Sequence, residues 1–240
     1  DLGDRVAEHA LGIVHPVLDG GKHRFQPVFI HQLREALDAV LRRRGGALIV
    51  RNARAVEAIP RLAVELGVDA VFANRDYEPA AKRRDEAVAQ MLAERGIAFE
   101  AFKDQALLDG AEVLARSGKP LTVFTPYRNA WLKRLDEADY APHVLVSGRL
   151  AVPPVDDGVP ALAEIGFEPA GLAETGVHPG MSGAASCFDD FRRRLADYAK
   201  DRDYPDRAGG SGLSPHLRFG TISPRRLADF AITSGALTGK

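Results

Sequence analysis

The sequence predicts an α/β fold: a Rossmann-like parallel sheet, followed by the start of an all-α region. Three observations support this prediction. In the first half of the chain, short apolar runs alternate with segments of helical periodicity. Glycines such as Gly45, Gly67 and Gly96 follow those helical segments and stop them. In the last third, apolar residues recur at helical spacing.

Four apolar runs are predicted as buried strands: Leu11–Val17, Ala47–Arg51, Asp69–Ala73 and Ile97–Phe102. The segments between them are predicted as helices: Pro27–Arg43, Ala55–Leu66 and Ala80–Arg95. Strands that alternate with helices at this spacing are joined by right-handed crossovers, so the sheet is parallel and covered on both faces.

Ligands of such sheets bind beyond the carboxyl ends of the strands. The segment NRDYEPAAKRRD follows the third predicted strand, so it lies at such an end and is a candidate site. The alternative is a polar loop that enters a basic helix, and the spacing alone favours this alternative.

The segment VFTPYRNAWLKRL holds the only tryptophan of the sequence. We predict that Thr125 caps a short helix and that Pro126 occupies its first position, where a missing amide hydrogen has no consequence. Tyr127, Trp131 and Leu135 are then spaced at i, i+4 and i+8 and form one stripe. This spacing predicts a surface helix whose aromatic side chains pack against the core.

The sequence between residues 147 and 183 contains five prolines and many glycines, which predicts a long connection with a short helix near Ala161–Ile165. Beyond it, Phe188, Phe191, Leu195 and Tyr198 form one apolar stripe at helical spacing. Cys187 precedes this stripe and is expected to be a small packing residue.

The composition excludes several classes of protein. A net charge of −1 argues against a protein that coats nucleic acid through bulk charge. Cys187 is the only cysteine, which excludes an intrachain disulfide framework and fits a reducing compartment. No apolar run approaches the roughly 20 residues that span a membrane, and no signal-peptide pattern is present. We therefore expect a cytoplasmic protein without a membrane partner.

Several motifs are missing from the sequence. It has no G-x-G-x-x-G and no G-x-x-x-x-G-K-[ST], so dinucleotide binding of the usual kind and P-loop chemistry are unsupported. No His/Cys cluster has metal-ligand spacing, and we expect no metal site. The sequence lacks an initiating Met and closes shortly after a helical pattern begins, so we interpret it as a piece of a longer protein.

The stretch AGGSGLSPHLRFGTISPRRL contains the strongest candidate for a phosphate site. Glycines let backbone amides approach an anion, and serine hydroxyls add further donors. Ser214 precedes a proline as at a helix start, and Ser223 repeats this pattern before PRRLADFAI. A flexible loop between helices is the alternative, and without further context it is favoured.

The order of these segments resembles the DNA photolyase/cryptochrome family, in particular a class I cyclobutane pyrimidine dimer photolyase, over nearly the whole chain. VFTPYRNAWLKRL is close to the family's F-T-P-[FY]-x-[KN]-x-W segment, and NRDYEPAAKRRD is similar to its N-x-x-Y-E-P-Y-x-x-x-R-D segment. The string from Ser211 to Arg225 matches S-x-L-S-P-x-L-x-F-G-x-I-S-x-R, the most specific signature of the family in this region.

The resemblance implies a set of site residues. Tyr198 corresponds to a tyrosine that bonds a phosphate of FAD. The segment that cradles the FAD pyrophosphate corresponds to Gly210, Ser211, Gly212, Leu213 and Ser214. Gly210 stands where the family has threonine, so one hydroxyl donor is lost. Arg202 corresponds to an arginine that contacts the DNA backbone, although an ordinary solvated arginine is the alternative.

The resemblance also implies an antenna chromophore in the first domain. In the branch that binds methenyltetrahydrofolate, an Asn-Glu pair follows the Y-E-x segment, and here those places hold Ala80 and Ala81. A deazaflavin or a flavin is therefore favoured over the folate, and no antenna is a further alternative. The resemblance divides the chain into an antenna domain (1–118), a junction helix with a long connection (119–179), and the first part of a helical FAD-binding domain (180–240).

The function that the resemblance implies is light-driven, FAD-dependent repair of cyclobutane pyrimidine dimers, with damaged DNA as the partner of a monomeric protein. The family's opening strand and its C-terminal helical half are not matched in this sequence, so the catalytic residues are expected outside it. A cryptochrome-type blue-light photoreceptor is one alternative. A stand-alone α/β nucleotide-binding or interaction domain without repair activity is the other.

Overall fold

The structure is a computed structural model, and it describes residues 11–15, 25–143, 148, 150–154, 158–168 and 176–235. The chain forms two compact units. Unit 1 comprises residues 1–58 and 148–222, and unit 2 comprises residues 59–147 and 223–240. The boundary between them falls within a helix, after Ala58.

Unit 1 contains a parallel pair of strands. Strand β1 (Leu11–His15) pairs with β2 (Leu48–Asn52) along all five residues, with Leu11 opposite Leu48. Helix α1 (Phe25–Arg43) connects the two strands. The first three residues of β2 are buried, as expected for an apolar strand.

Helix α1 also forms part of the unit 1 core. Val28 and Phe29 are buried, and Leu162, Val177 and Phe219 pack against them. The Phe29 ring lies 4.9 Å from the Phe219 ring, so α1 contacts the segment that follows the candidate loop. Burying these side chains supplies the hydrophobic stabilisation that holds this part of unit 1 in place.

The helical part of unit 1 is interrupted. Helix α6 (Gly180–Arg194) is followed by a 3₁₀ turn (Leu195–Asp197) and by α7 (Tyr198–Asp201). The predicted stripe therefore does not run along one continuous helix. Of its four residues only Phe188 is buried, and the 3₁₀ turn changes the rotation between α6 and the last two residues of the stripe. Helix α8 (Ser214–Arg218) and a 3₁₀ turn (Ala163–Ile165) complete the described elements of this unit.

Unit 2 contains a second parallel pair. Strand β3 (Ala70–Asn74) pairs with β4 (Ala98–Phe102), and α3 (Pro79–Ala93) connects them. The remaining helices are α4 (Phe124–Arg134), α5 (Glu137–Tyr140) and α9 (Pro224–Thr233). Helix α2 (Ala55–Leu66) spans the boundary between the units.

The predicted α/β class and parallel pairing are confirmed, but two details differ. Each strand pair forms its own two-stranded sheet, and α2 connects β2 to β3, two strands that do not pair with each other. A doubly wound sheet has such a connection where its strand order reverses. The prediction that every strand is buried is wrong for β3 and β4: Phe72 is 45% exposed and Phe102 is 53% exposed.

Two predicted helix caps had different outcomes. Ser223 caps α9, where its hydroxyl accepts a hydrogen bond from the Arg225 amide at 3.2 Å. The prediction for Thr125 is wrong, because α4 begins at Phe124 and Val123 is its cap residue. Pro126 is tolerated there since the amides of the first turn have no acceptor within the helix. No residue of α4 is buried, so its aromatic stripe is only partly packed in unit 2.

A buried arginine joins two helices of unit 2. The Arg225 side chain is 5% exposed and donates hydrogen bonds to the backbone carbonyls of Ala138 and Asp139. Helix α9 is thereby fastened to α5, a contact that the sequence analysis did not predict. Within the described residues, no helix is long and apolar enough to cross a membrane.

The core of unit 2 supports a test of the fold. Leu92 of α3 is fully buried, whereas Leu114 of the same unit is 37% exposed. We predict that Leu92→Ala lowers the free energy of unfolding by about 2–5 kcal/mol, because it removes buried methyl groups and leaves a cavity. Leu114→Ala is the matched control and should cost well under half as much in urea unfolding; equal losses would contradict the packing of α3.

Candidate functional site

The candidate loop, Gly210–Ser214, lies in unit 1 and leads into α8. Within the described part of the chain, the backbone amides of Gly210, Ser211 and Gly212 have no hydrogen-bond acceptor. The Ser211 hydroxyl accepts from the Leu213 amide at 3.3 Å, and the Ser214 side chain is exposed. Three amide donors and two hydroxyls within one short loop fit the oxygens of a phosphate group.

The two glycines give this loop space. Gly210 is exposed, and a Cβ placed on it would meet no atom within 4 Å, so the space beside its backbone is open. Gly212 has a φ of +68°, a conformation that residues with a side chain rarely adopt. The loop therefore depends on glycine at position 212 for its backbone path and at position 210 for access.

Close backbone packing ties the loop to α7. Gly209 is buried, and a Cβ there would lie 2.6 Å from the Arg202 amide nitrogen. The Arg194 guanidinium, in the last turn of α6, donates to the carbonyl of Ala208 and pairs with Asp190 at 2.7 Å. These contacts place the candidate loop beside the C-terminal end of α7, the short helix that begins at the predicted Tyr198.

Tyr198, the first residue of α7, and Arg202, which directly follows that helix, form a stacked pair. The Arg202 guanidinium lies 5.5 Å from the centre of the Tyr198 ring, and the Phe191 ring meets that ring edge-on at 5.5 Å. Arg202 is 53% exposed, and its Nε lies 3.6 Å from the exposed Asp203 carboxylate. Within the described residues, the Tyr198 hydroxyl has no hydrogen-bond partner. Both polar groups are therefore available to a ligand.

A buried histidine follows the loop. His216 is 2% exposed, and its Nδ1 lies 2.8 Å from the Thr221 hydroxyl oxygen. Its ring meets Phe29 edge-on at 5.9 Å. Burial lowers the pKa of the His216 imidazole, because the apolar surroundings disfavour the charged form. The neutral ring thus anchors α8 to the core of unit 1.

A second candidate site is a cavity of 140 Å³ in unit 2. It lies at the carboxyl ends of β3 and β4, where the sequence predicted a candidate site, and Arg75, Asp76, Tyr77 and Lys82 contribute to its lining. Lys103 also lines it, but its ammonium pairs with Glu112 at 2.8 Å. Arg75 lies 3.7 Å from Asp109. The Lys82 ammonium has no ion-pair partner within the described ranges, so it is the cation most available to a ligand.

The structure brings together most of the residues predicted for the cofactor site. Tyr198 is the first residue of α7 and Arg202 directly follows that helix, and Gly209, just ahead of the loop Gly210–Ser214, packs against the backbone of Arg202. The described residues contain no cluster of His, Cys, Asp and Glu that could hold a metal ion. Sequence reasoning missed Arg194 and the contact of Cys187 with this loop, because such contacts depend on how α6 packs and leave no motif.

The chain has relatives among known proteins. The family model described as DNA photolyase matches residues 6–144, more than half of the chain. The chain belongs to the DNA photolyase family. It is 35% identical over 183 residues to the deoxyribodipyrimidine photo-lyase of Vibrio cholerae, a match that covers 72% of this chain and 37% of the relative. An uncharacterised 31.6 kDa protein of a Synechococcus species is 33% identical, with 80% of this chain and 67% of that protein covered.

Solved structures of the DNA photolyase family have the same fold. A class III photolyase from Agrobacterium tumefaciens superposes with a TM-score of 0.78 at 30% identity, covering 90% of this chain and 45% of that one. A Synechocystis cryptochrome gives a TM-score of 0.76 at 19% identity, which shows the fold alone. The chain thus spans less than half the length of the Vibrio and Agrobacterium proteins.

The buried His216 makes the free energy of unfolding depend on pH. Its pKa is lowered in the folded protein, so the unfolded chain binds the proton more readily as the pH falls through about 6.5. We predict that the stability contributed by neutral His216 is complete above that pH and is lost below it, with a slope of at most about 1.4 kcal/mol per pH unit.

The measurement is the free energy of unfolding between about pH 7.5 and pH 5. His216→Gln should flatten this profile, whereas His178→Gln, at an exposed histidine of the same unit, should leave the slope as it is. An equally steep acid loss in His216→Gln would contradict the assignment.

Proposed function

We propose that this chain provides the FAD phosphate site of a deoxyribodipyrimidine photolyase, an enzyme that uses light to repair cyclobutane pyrimidine dimers in DNA. The observation that carries the proposal is the donor set of the loop Gly210–Ser214: two serine hydroxyls and three backbone amides that have no acceptor among the described residues. Membership of the DNA photolyase family and the 35% identity to the Vibrio cholerae photo-lyase support it.

The residues present fit a diphosphate. The amides of Gly210, Ser211 and Gly212 would donate to its oxygens, and no side chain at Gly210 obstructs the approach. The Tyr198 hydroxyl would add a donor from α7. When bound, FAD supplies light-driven electron transfer, and this chain's own residues bind and orient its phosphates. The residues that act on the dimer itself are proposed to lie outside this sequence.

The division of the chain is part of the proposal. Residues 1–118 form the antenna domain, residues 119–179 the junction helix and connection, and residues 180–240 the start of the FAD-binding domain. The protein is proposed to act as a monomer in the cytoplasm, and the single cysteine is consistent with that compartment. Sedimentation of the purified protein and cell fractionation test these two points.

We also propose that the cavity at the ends of β3 and β4 holds the polar end of an antenna chromophore, a deazaflavin or a flavin and not a methenyl folate. Ala81 is 7% exposed in the first turn of α3 and, like Ala80, has no polar group to offer a folate. The Lys82 ammonium, which has no ion-pair partner in the described part of the chain, suits an anionic end group. The absorption spectrum of pigments released from the full-length protein tests this; a folate chromophore would contradict it.

The flavin site is tested by a matched pair of glycine variants. Gly212→Ala and Gly118→Ala both place a side chain at a positive φ, +68° and +76° respectively, and the backbone strain alone should destabilise the fold by about 1–2 kcal/mol in each. Gly212→Ala also brings a Cβ to 3.2 Å from the Cys187 sulfur, so it should cost the larger amount. Only Gly212 belongs to the candidate loop. We predict that Gly212→Ala weakens FAD binding roughly tenfold, as for loss of one charge-assisted hydrogen bond, while Gly118→Ala leaves it unchanged. Equal FAD dissociation constants in both variants, measured by flavin fluorescence, would contradict the site.

The DNA contact is tested at Arg202. Its guanidinium is half-exposed and weakly paired, so it is available to a backbone phosphate. We predict that Arg202→Ala in the full-length protein weakens binding of dimer-containing DNA and reduces the salt dependence of the binding constant by about one unit of slope.

Arg116→Ala, which removes the same charge from an exposed position of unit 2, is the control and should leave both quantities close to those of the wild type. Repair of the dimer under illumination is then measured on the same samples. A protein that binds FAD but repairs no dimer would favour the photoreceptor alternative.

A further inference from the structure

Cys187 contacts the candidate loop at two adjacent residues. Its thiol donates a hydrogen bond to the Ser211 carbonyl at 3.1 Å, across 24 positions of the sequence. A Cβ placed on Gly212 would lie 3.2 Å from the same sulfur. The loop therefore contacts the Cys187 side chain directly, and this contact connects the loop to α6.

The size of the cysteine side chain matters at this contact. A Cβ at Gly212 would be closer to this sulfur than ordinary van der Waals contact, so the sulfur or the loop would have to shift to admit it. A larger side chain at position 187 would push against the Ser211 carbonyl and the Gly212 backbone. The loop amides would then move as well, because the loop is short and the residues on either side of these amides, Gly209 and Leu213, are held in buried positions.

The chemistry of the thiol suits a fixed hydrogen bond. Burial raises the pKa of the Cys187 thiol, and the Asp190 carboxylate raises it further against the opposing effect of Arg194. The thiol is therefore protonated at neutral pH and keeps its hydrogen for the Ser211 carbonyl. A protonated, half-buried thiol is a poor nucleophile, so a structural role is the consistent one.

We propose that Cys187 is a positioning residue for the phosphate loop: its thiol fixes the Ser211 carbonyl, its small size admits Gly212, and together these contacts aim the loop amides at the FAD phosphates. The proposal rests on the proposed function only in its last step, the affinity for FAD. The contact between thiol and loop is a property of the flavin-free protein and is tested separately.

The first experiment measures the reaction rate of the Cys187 thiol with an aromatic disulfide reagent in flavin-free protein. The loop covers this thiol, so the wild-type rate should be well below that of the unfolded chain. Gly212→Ala should raise it several-fold, because the new side chain collides with the sulfur. Gly210→Ala is the matched control and should leave the rate unchanged, since a side chain there meets no atom within 4 Å.

The second experiment measures FAD affinity in variants of position 187. Cys187→Val should raise the dissociation constant roughly tenfold and Cys187→Ala roughly threefold, the range for loss of one neutral hydrogen bond. Cys187→Ser keeps a donor of similar size and should stay within about twofold of the wild type. Ser186→Val, at an exposed neighbouring position of α6, controls for a bulkier residue in that helix.

The outcomes separate the two claims. If the wild type binds no FAD, the proposed function fails, and the thiol rates still decide whether Cys187 holds the loop. Should Gly212→Ala and Gly210→Ala react at the wild-type rate, the contact is absent and the proposal is overturned. It is also overturned if the wild type binds FAD and all three variants of position 187 bind it equally well.

Discussion

The candidate site depends on the close approach of Gly209 to the backbone of α7. A side chain at this position would lie 2.6 Å from the Arg202 amide nitrogen, so the loop and the helix could not both keep their places. With glycine there, the loop amides, Tyr198 and Arg202 share one region of unit 1. Arg194 and Cys187 then hold the loop from α6, through the carbonyls of Ala208 and Ser211.

In unit 2, a network of charged side chains lies beside the strand-end cavity. Lys103, at the end of β4, hydrogen-bonds the Glu112 carboxylate and thereby lowers its pKa. The Asp136 amide lowers the pKa of Asp139, and the nearby cations Arg134 and Lys103 act in the same direction. This charge network keeps Lys103 occupied beside the strand-end cavity. Lys82 is consequently the cation of the cavity that remains for a ligand, within the described residues.

Periodicity and glycine placement predicted most of the fold. The α2 limits, Ala55–Leu66, agree residue for residue, and each predicted strand lies within a residue of its observed start. Residues 16 and 17, the predicted end of the first strand, lie outside the described residues. Thr125 and Ser223 both precede proline, yet only Ser223 is a cap, because the α4 helix starts one residue earlier than Thr125. Sequence pattern does not determine such a shift, since neighbouring structure decides it.

Only the part of the site that belongs to a sequence motif could be predicted. The Gly210–Ser214 segment and Tyr198 stand out by residue type and by resemblance. Their binding of the FAD phosphates stays a prediction. The buried Arg225, the neutral His216 and the Cys187 contact could not be predicted. Each depends on a tertiary neighbour far along the chain, such as the carbonyls of Ala138 and Asp139 for Arg225. Sequence spacing carries no record of these distances.

The central claim is that the loop beside α7 binds the phosphates of FAD. The most direct measurement is a titration of the purified, folded chain with FAD, followed by displacement with ADP, which carries the same diphosphate. The account predicts that the folded chain binds FAD and that ADP competes for the site. A folded chain that takes up no FAD, or that binds FAD without any competition from ADP, would contradict it.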